Sequence, residues 1–89
     1  MIPENEMPFE TALSLLKSGR RVARAGWNGK GMFLLLIKGG EWSLPNTSVV
    51  ADTLLPLLPF IAMKTADNCV VPWLASQTDI LARDWCHVE

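Results

Sequence analysis

The sequence of this 89-residue chain has few of the residues on which most catalytic and metal sites depend. It contains one histidine, His87, and two cysteines, Cys69 and Cys86, which lie seventeen positions apart. If the end of the chain is a strand, Cys86 and His87 point to opposite faces and cannot act as nucleophile and base. The C-x-x-C and H-x-x-x-H spacings of zinc sites are absent. The glycine patterns of phosphate-binding loops are absent too. The sequence therefore predicts neither an enzyme nor a metal or cofactor site.

Long apolar runs and charge clusters are also missing. Eight basic and nine acidic residues are scattered along the chain and give a net charge of −1, which predicts no binding to duplex nucleic acid. The longest apolar runs, residues 32–37 and 54–63, are shorter than the roughly 20 residues of a membrane-spanning helix. The first nine residues contain Glu4 and Glu6 and lack the apolar segment of a signal peptide. We expect a soluble cytoplasmic protein that has no membrane partner and keeps both cysteines as free thiols.

Apolar residues, by contrast, are abundant. They make up 49% of the chain and include four tryptophans and three phenylalanines. A chain of this size forms one core and buries only about two thirds of its unfolded surface. The composition therefore predicts a single domain over residues 1–89 that associates with further copies of itself.

The apolar spacing predicts a small α+β domain, an antiparallel β-sheet with one or two short helices packed on it. Phe9, Ala12 and Leu16 share one face of a helix over about residues 9–18, and Gly19 follows as its cap. A second helix over about residues 76–82 begins with a capping box between Ser76 and Asp79. Strands are predicted at about residues 20–24, 32–38, 60–65, 69–72 and 84–88.

Between these elements, residues 41–53 lose the periodicity and read as a variable loop, although Trp42 and Leu44 could form a brief strand. Residues 54–59 contain two prolines and should be extended at an edge. Residues 66–68 have the composition of a hairpin connection. The run 32–38, which Gly39 and Gly40 close, reads as a buried strand.

Aromatic residues beside turns and prolines form the candidate binding site. Trp27, Trp73 and Phe60 provide flat apolar faces on which a nucleobase can stack, and nearby amides and carboxylates can read its edge. Lys30 and Lys64 can meet phosphates, as can the first backbone N–H groups of the second helix. The polar candidates are Asn28, Lys30, Lys64, Thr65, Ser76, Gln77, Thr78 and Asp79. The alternative is that the aromatics belong to the core, that Asn28-Gly29 is only a turn, and that Ser76 and Asp79 are only caps.

Three blocks of the sequence carry a resemblance to a known family. They are RAGWNGK at residues 24–30, PFIAMKTAD at residues 59–67 and VPWLASQTD at residues 71–79, and Asp84-Trp85 closes the pattern. In this order they resemble the Thoeris anti-defence 2 family, small phage and prophage domains long of unknown function. The chain departs from the common family pattern at Asn68-Cys69, where a Gly is frequent, and at Ala75, where a Pro is frequent. These departures bear on ligand choice more than on fold.

The resemblance implies a sponge, which binds and sequesters the immune signal glycocyclic ADP-ribose without cleaving it. Some members also take up cyclic oligonucleotides. It further implies a homotetramer with ligand pockets between subunits, in the cytoplasm of an infected or lysogenic bacterium. On this resemblance Trp27 and Trp73 are the stacking residues, and Asn28, Thr65, Gln77 and Asp79 read the ligand.

Two alternatives to the sponge remain at this stage. One is an enzyme that acts on the same kind of nucleotide with Asp79 or Asp84 as its base. The other is a structural phage protein whose tryptophans only join subunits.

Overall fold

The computed structural model describes residues 6–27, 30–43 and 54–89. Within these ranges there are two α-helices and seven strands, with a turn of 3₁₀ helix at Ala25–Trp27. The helices are α1 (Phe9–Lys17) and α2 (Gln77–Leu81). The strands are β1 (Arg21–Arg24), β2 (Phe33–Ile37), β3 (Gly40–Ser43), β4 (Leu54–Leu57), β5 (Phe60–Lys64), β6 (Val70–Pro72) and β7 (Trp85–Val88).

Five of the strands form one antiparallel sheet in the order β6-β5-β2-β1-β7, and β3 pairs with β4 in a separate two-stranded ribbon. Helix α1 packs on the central part of the large sheet, where it contacts β1, β2 and β7. The predicted α+β class, an antiparallel sheet with two short helices, is confirmed. Strand β1 pairs with β2 on one side and with the last strand, β7, on the other, so the sheet brings together distant parts of the chain.

Helix α1 begins after Pro8 and ends where the sequence predicts a glycine cap. Ala12 and Leu16 are fully buried against the sheet, one turn apart on the same face. Gly19 adopts φ 91°, its N–H donates to the Leu16 carbonyl at 3.0 Å, and the Arg20 N–H donates to the Leu15 carbonyl at 2.9 Å. This is a Schellman motif, in which a residue without a Cβ takes the left-handed conformation.

The two faces of the large sheet are buried to different degrees. On the helix-covered face, Val22 lies opposite Leu34, and both are completely buried. On the other face, which we call the outer face, Leu35 lies opposite Ala62; Leu35 is half-buried, whereas the smaller Ala62 is fully buried. The prediction of a buried strand over residues 32–38 holds fully for Leu34 alone, and the other residues of β2 are half-buried.

The β3–β4 ribbon continues the β2–β5 hairpin without a change of register. Ile37 lies opposite Phe60 and Gly40 lies opposite Leu57, with two residues between these pairs on each strand. The ribbon contributes to an elongated shape of 49 × 26 × 25 Å. The extended edge segment predicted at residues 54–59 is confirmed by β4. Of the predicted loop 41–53, the first three residues belong to β3, which includes Trp42, and residues 44–53 lie outside the described residues.

The β5–β6 hairpin turns at residues 66–68, as its composition predicts. Asn68 has φ 66°, the left-handed conformation that glycine and asparagine adopt at least cost. The Thr65 N–H donates to the Cys69 carbonyl at 2.7 Å, and the Thr65 hydroxyl accepts from the Cys69 N–H at 2.9 Å. Asn68 thus takes the conformation that a glycine would otherwise supply in this turn.

Candidate functional site

Four aromatic rings meet at one end of the core, and Trp85 lies at their centre. Trp85 is fully buried, and its ring centroid lies 5.5 Å from that of Trp27, 5.9 Å from that of Trp73 and 5.3 Å from that of Phe9. Trp27 and Trp73 both meet Trp85 nearly edge to face, at interplanar angles of 80° and 86°. Such pairs contribute about 0.5–1.5 kcal/mol each beyond the area they bury.

The two predicted stacking residues are therefore neighbours of one buried ring. Both Trp27 and Trp73 are half-buried, so part of each indole stays accessible in the single chain. Trp27 ends the 3₁₀ turn after β1. Trp73 follows β6, and its backbone N–H donates to the Ile61 carbonyl at 3.0 Å. Each indole packs on Trp85 at one side, and its remaining accessible surface can contact another molecule.

An arginine joins the segment of Trp27 to α2. The Arg24 Nη1 donates to Oδ1 of Asp79 and its Nε donates to Oδ1 of Asp84, each at 2.9 Å. The side chains of Arg24, Asp79 and Asp84 are 26%, 17% and 31% exposed. In addition, the Ala25 N–H donates to the Asp84 carbonyl at 2.9 Å. The sequence analysis assigned no role to Arg24.

Helix α2 has the predicted capping box at its first turn. The Ser76 hydroxyl accepts from the Asp79 N–H at 3.1 Å, and Oδ2 of Asp79 accepts from the Ser76 N–H at 3.4 Å. The Trp85 indole N–H donates to the Asp79 carbonyl at 2.9 Å. The bond from the Trp85 indole ties this short, capped helix to the aromatic cluster.

The charges of this network shift two pKa values. Burial alone raises the pKa of the Asp79 carboxyl, but the hydrogen bonds from Arg24 and Ser76 outweigh burial and leave the pKa below its ordinary value. The hydrogen bond to Asp84, followed by that to Asp79, raises the pKa of Arg24. At neutral pH Arg24 is a cation and Asp79 is an anion.

The structure divides the predicted site residues between two surfaces. Gln77 and Thr78 are exposed on the first turn of α2, four and five positions after Trp73 in the sequence, and Asp79 pairs with Arg24. A second group, Phe60 and Lys64, lies on the outer face of the sheet, because β5 residues alternate about the buried Ala62. The predicted residues are thus divided, because one group lies on α2 and the other lies on the outer face of the sheet.

Two more predicted residues, Lys30 and Thr65, lie close to Lys64 in the structure. Lys64 donates to the Gly31 carbonyl at 2.8 Å and lies 5.8 Å from the Phe33 ring centroid. Lys30 is exposed in the same loop, and Thr65 ties the hairpin turn to Asp67 and Cys69. Asn28 lies outside the described residues.

Trp85 and Arg24 are the residues that sequence reasoning missed. Trp85 appeared only as the end of the family pattern, yet it is the ring on which both candidate indoles pack. Arg24 stands at the start of the first block, and its partners lie 55 and 60 positions away. The signal that could have found Arg24 is a charge at the end of a strand whose preceding residues, Val22 and Ala23, are apolar.

Both cysteines are free thiols, as predicted, and Cys69 is exposed while Cys86 is buried. Within residues 6–27, 30–43 and 54–89, no three His, Cys, Asp or Glu side chains lie close enough together to hold a metal ion. In the same described ranges, no helix has the length and apolar character to cross a membrane.

These features define a small α+β domain with a tryptophan-centred site beside a short capped helix. Residues 7–88 match the model of the Thoeris anti-defense 2-like domain. The chain is also 40% identical over 86 residues to Thoeris anti-defense 2 of Bacillus phage SP01, which covers 92% of this chain and 94% of that protein. The chain belongs to the Thoeris anti-defense 2-like family, and the resemblance of its three sequence blocks is confirmed. This assigns it to the phage proteins that counter Thoeris defence.

Proposed function

We propose that this protein is a sponge that binds and sequesters a cyclic nucleotide signal of the glycocyclic ADP-ribose type without cleaving it. By this means it inhibits Thoeris immunity in the cytoplasm of the infected or lysogenic host. The observation that carries the proposal is the pair of half-exposed indoles, Trp27 and Trp73, that pack on the buried Trp85. Indoles held in this way offer flat faces for a base at little cost in side-chain entropy.

Polar groups around the indoles suit the rest of such a ligand. The exposed Gln77 amide and Thr78 hydroxyl can hydrogen-bond the edge of a base or a ribose. Asn28 directly follows Trp27, and the family resemblance implies that it too contacts the ligand. Lys30, exposed in the loop after Trp27, is a point charge for a phosphate. Asp79 contributes through its hold on α2, because both of its carboxylate oxygens already accept hydrogen bonds within the chain.

The division of the predicted residues supports pockets between subunits. Phe60 and Lys64 lie on the outer face of β5, on either side of Ala62, so they meet the same ligand only if another copy supplies them. Thr65 lies at the turn that follows β5. The outer face carries Leu35 and Ile37, both half-buried in the single chain. A homotetramer, which the family resemblance favours, would cover this face.

Sequestration places a demand on affinity. To lower the free signal at low concentration, binding must be roughly nanomolar, about −12 kcal/mol. A nucleotide reaches such an affinity when nearly all of its surface is buried. Pockets that two subunits close together meet this demand better than an open surface on one chain.

The nucleotide-processing enzyme is the first alternative. Its candidate bases, Asp79 and Asp84, both accept hydrogen bonds from the Arg24 guanidinium. A carboxylate that already pairs with a cation is a weaker proton acceptor than a free one. In the second alternative, a structural phage protein, the accessible surface of Trp27 and Trp73 would join subunits and hold no ligand. The pairing of the two carboxylates favours the sponge over the enzyme, and the assembly mass of tryptophan variants separates the sponge from the structural protein.

Release of intact ligand tests the proposal. The purified protein is incubated with glycocyclic ADP-ribose, separated from free nucleotide by gel filtration, and heat-denatured, and the released compounds are identified by mass spectrometry. The proposal predicts about one intact nucleotide per pocket. A cleaved product would support the enzyme, and no retained nucleotide would leave only the structural alternative. A panel of cyclic dinucleotides and trinucleotides in the same assay defines the range of ligands.

A further inference from the structure

The two segments that carry the proposed stacking residues are joined by one guanidinium. Arg24 ends β1 and lies three positions before Trp27. Its Nη1 and Nε hold Asp79 in α2 and Asp84 in the segment after α2, at 2.9 Å each. A single side chain thus fixes the distance from the Trp27 turn to the helix that presents Gln77 and Thr78.

Asp79 transmits this hold to the aromatic cluster. Its carboxylate also accepts from the Ser76 N–H, and its backbone carbonyl accepts from the Trp85 indole N–H at 2.9 Å. A movement of Asp79 therefore changes both the cap of α2 and the ring on which Trp27 and Trp73 pack. Because α2 has only five residues, it depends on such tertiary contacts for its conformation.

We infer that Arg24 is a positioning residue that sets the arrangement of Trp27, Trp73 and α2 for the ligand. This inference rests on the proposed function. The planar guanidinium presents donors in fixed directions and can serve two carboxylates at once, whereas a lysine ammonium is a point charge at the end of a flexible stem. A site held in its bound arrangement before the ligand arrives binds more tightly, since less ordering remains to be done.

The network is part-buried, and both stability and orientation are expected to depend on it. The side chains of Arg24, Asp79 and Asp84 are 17–31% exposed, and their hydrogen bonds are largely withdrawn from solvent. Their geometry, with two directed hydrogen bonds from one fork, is suited to orientation. Arg24→Lys keeps the charge and removes the fork, so it separates the two effects.

The test compares Arg24→Lys with Arg20→Lys, a matched change at an exposed arginine just before β1. The four tryptophans give four indole N–H signals in a ¹⁵N NMR spectrum. In Arg24→Lys we expect the Trp85 indole N–H to exchange with solvent at least tenfold faster and the Trp27 and Trp73 signals to shift. Affinity for glycocyclic ADP-ribose should fall about tenfold, and Arg20→Lys should behave as the unchanged protein.

Equal exchange rates or equal affinity in Arg24→Lys and the unchanged protein overturn the inference. Faster exchange without loss of affinity would make Arg24 a structural ion pair only. If Arg24→Lys does not fold, Asp84→Ala removes the acceptor of Nε, and the same measurements decide. If the unchanged protein binds no glycocyclic ADP-ribose, the proposed function fails, and the indole signals alone decide whether Arg24 sets the arrangement.

Discussion

At the scale of single residues, the two cysteines differ in exposure. Cys86 is buried in β7, and its burial, with the nearby charges of Glu6 and Asp84, raises the pKa of its thiol. Cys69 is exposed in the β5–β6 turn. Since the thiolate is the reactive form, we predict that iodoacetamide modifies one cysteine per native chain, and that Cys69→Ser abolishes the modification. Labelling of Cys86 at a comparable rate in the folded protein would contradict this.

The Asp79 carboxylate gives stability a defined pH dependence. Its pKa is below the unfolded value of about 3.9. The stabilisation is therefore complete above that value and is lost as pH falls through the folded-state pKa. We predict that Asp79→Asn lowers the free energy of urea unfolding at pH 7, and that the gap to the unchanged protein narrows below about pH 4. A gap that widens on acidification would contradict the assigned charge state.

Single residues also mark the limit of sequence reasoning about the site. The position of Trp27 beside a turn predicted that its indole would be accessible, and the structure leaves it half-buried. The role of Trp85 could not be predicted, because its contacts with Trp27 and Trp73 form only when distant segments pack. The partners of Arg24 are hidden for the same reason. Local spacing identifies caps such as Ser76 and Asp79, and it carries no information on pairings across the sheet.

At the scale of elements, the close approach of the two strands between β2 and β3 depends on one glycine. A Cβ added to Gly39 would overlap the Leu57 carbonyl oxygen, whereas one added to Gly40 meets nothing within 4 Å. We predict that Gly39→Ala lowers the free energy of unfolding by about 1–3 kcal/mol, the usual cost of an added carbon in a filled space. Gly40→Ala, the matched control, should have little effect in the same urea titration. Equal effects would mean that the approach of the two strands is not tight.

The elements themselves followed closely from the sequence. Helix α1 and the Gly19 cap could be predicted from one apolar face and a terminal glycine, since both are local features. The order β6-β5-β2-β1-β7 was not, because β1 and β7 pair across most of the chain. The ribbon strand β3 was only a possibility in the sequence, since its pairing with β4 crosses a segment without periodicity.

At the scale of the whole molecule, the proposed assembly depends on the outer face of the sheet. Leu35, in the middle of β2, is half-buried there in the single chain. We predict that Leu35→Asp reduces the mass measured by analytical ultracentrifugation to that of smaller species, because a charge cannot be buried unpaired in an apolar interface. Thr11→Asp, on the exposed side of α1, should leave the assembly intact. An unchanged mass for Leu35→Asp would place the interface elsewhere.

The central claim is that Trp27 and Trp73 hold a base that the protein does not alter. It is tested most directly by isothermal titration of glycocyclic ADP-ribose into the unchanged protein, Trp27→Ala and Trp73→Ala, with the assembly mass of each measured in parallel. Stacking contributes about 1–3 kcal/mol per base, so we predict that each variant binds roughly tenfold to a hundredfold more weakly while its mass is unchanged. Leu58→Ala, at an exposed side chain between β4 and β5, should bind normally. Unchanged binding by both variants, or loss of assembly in place of binding, would contradict the claim.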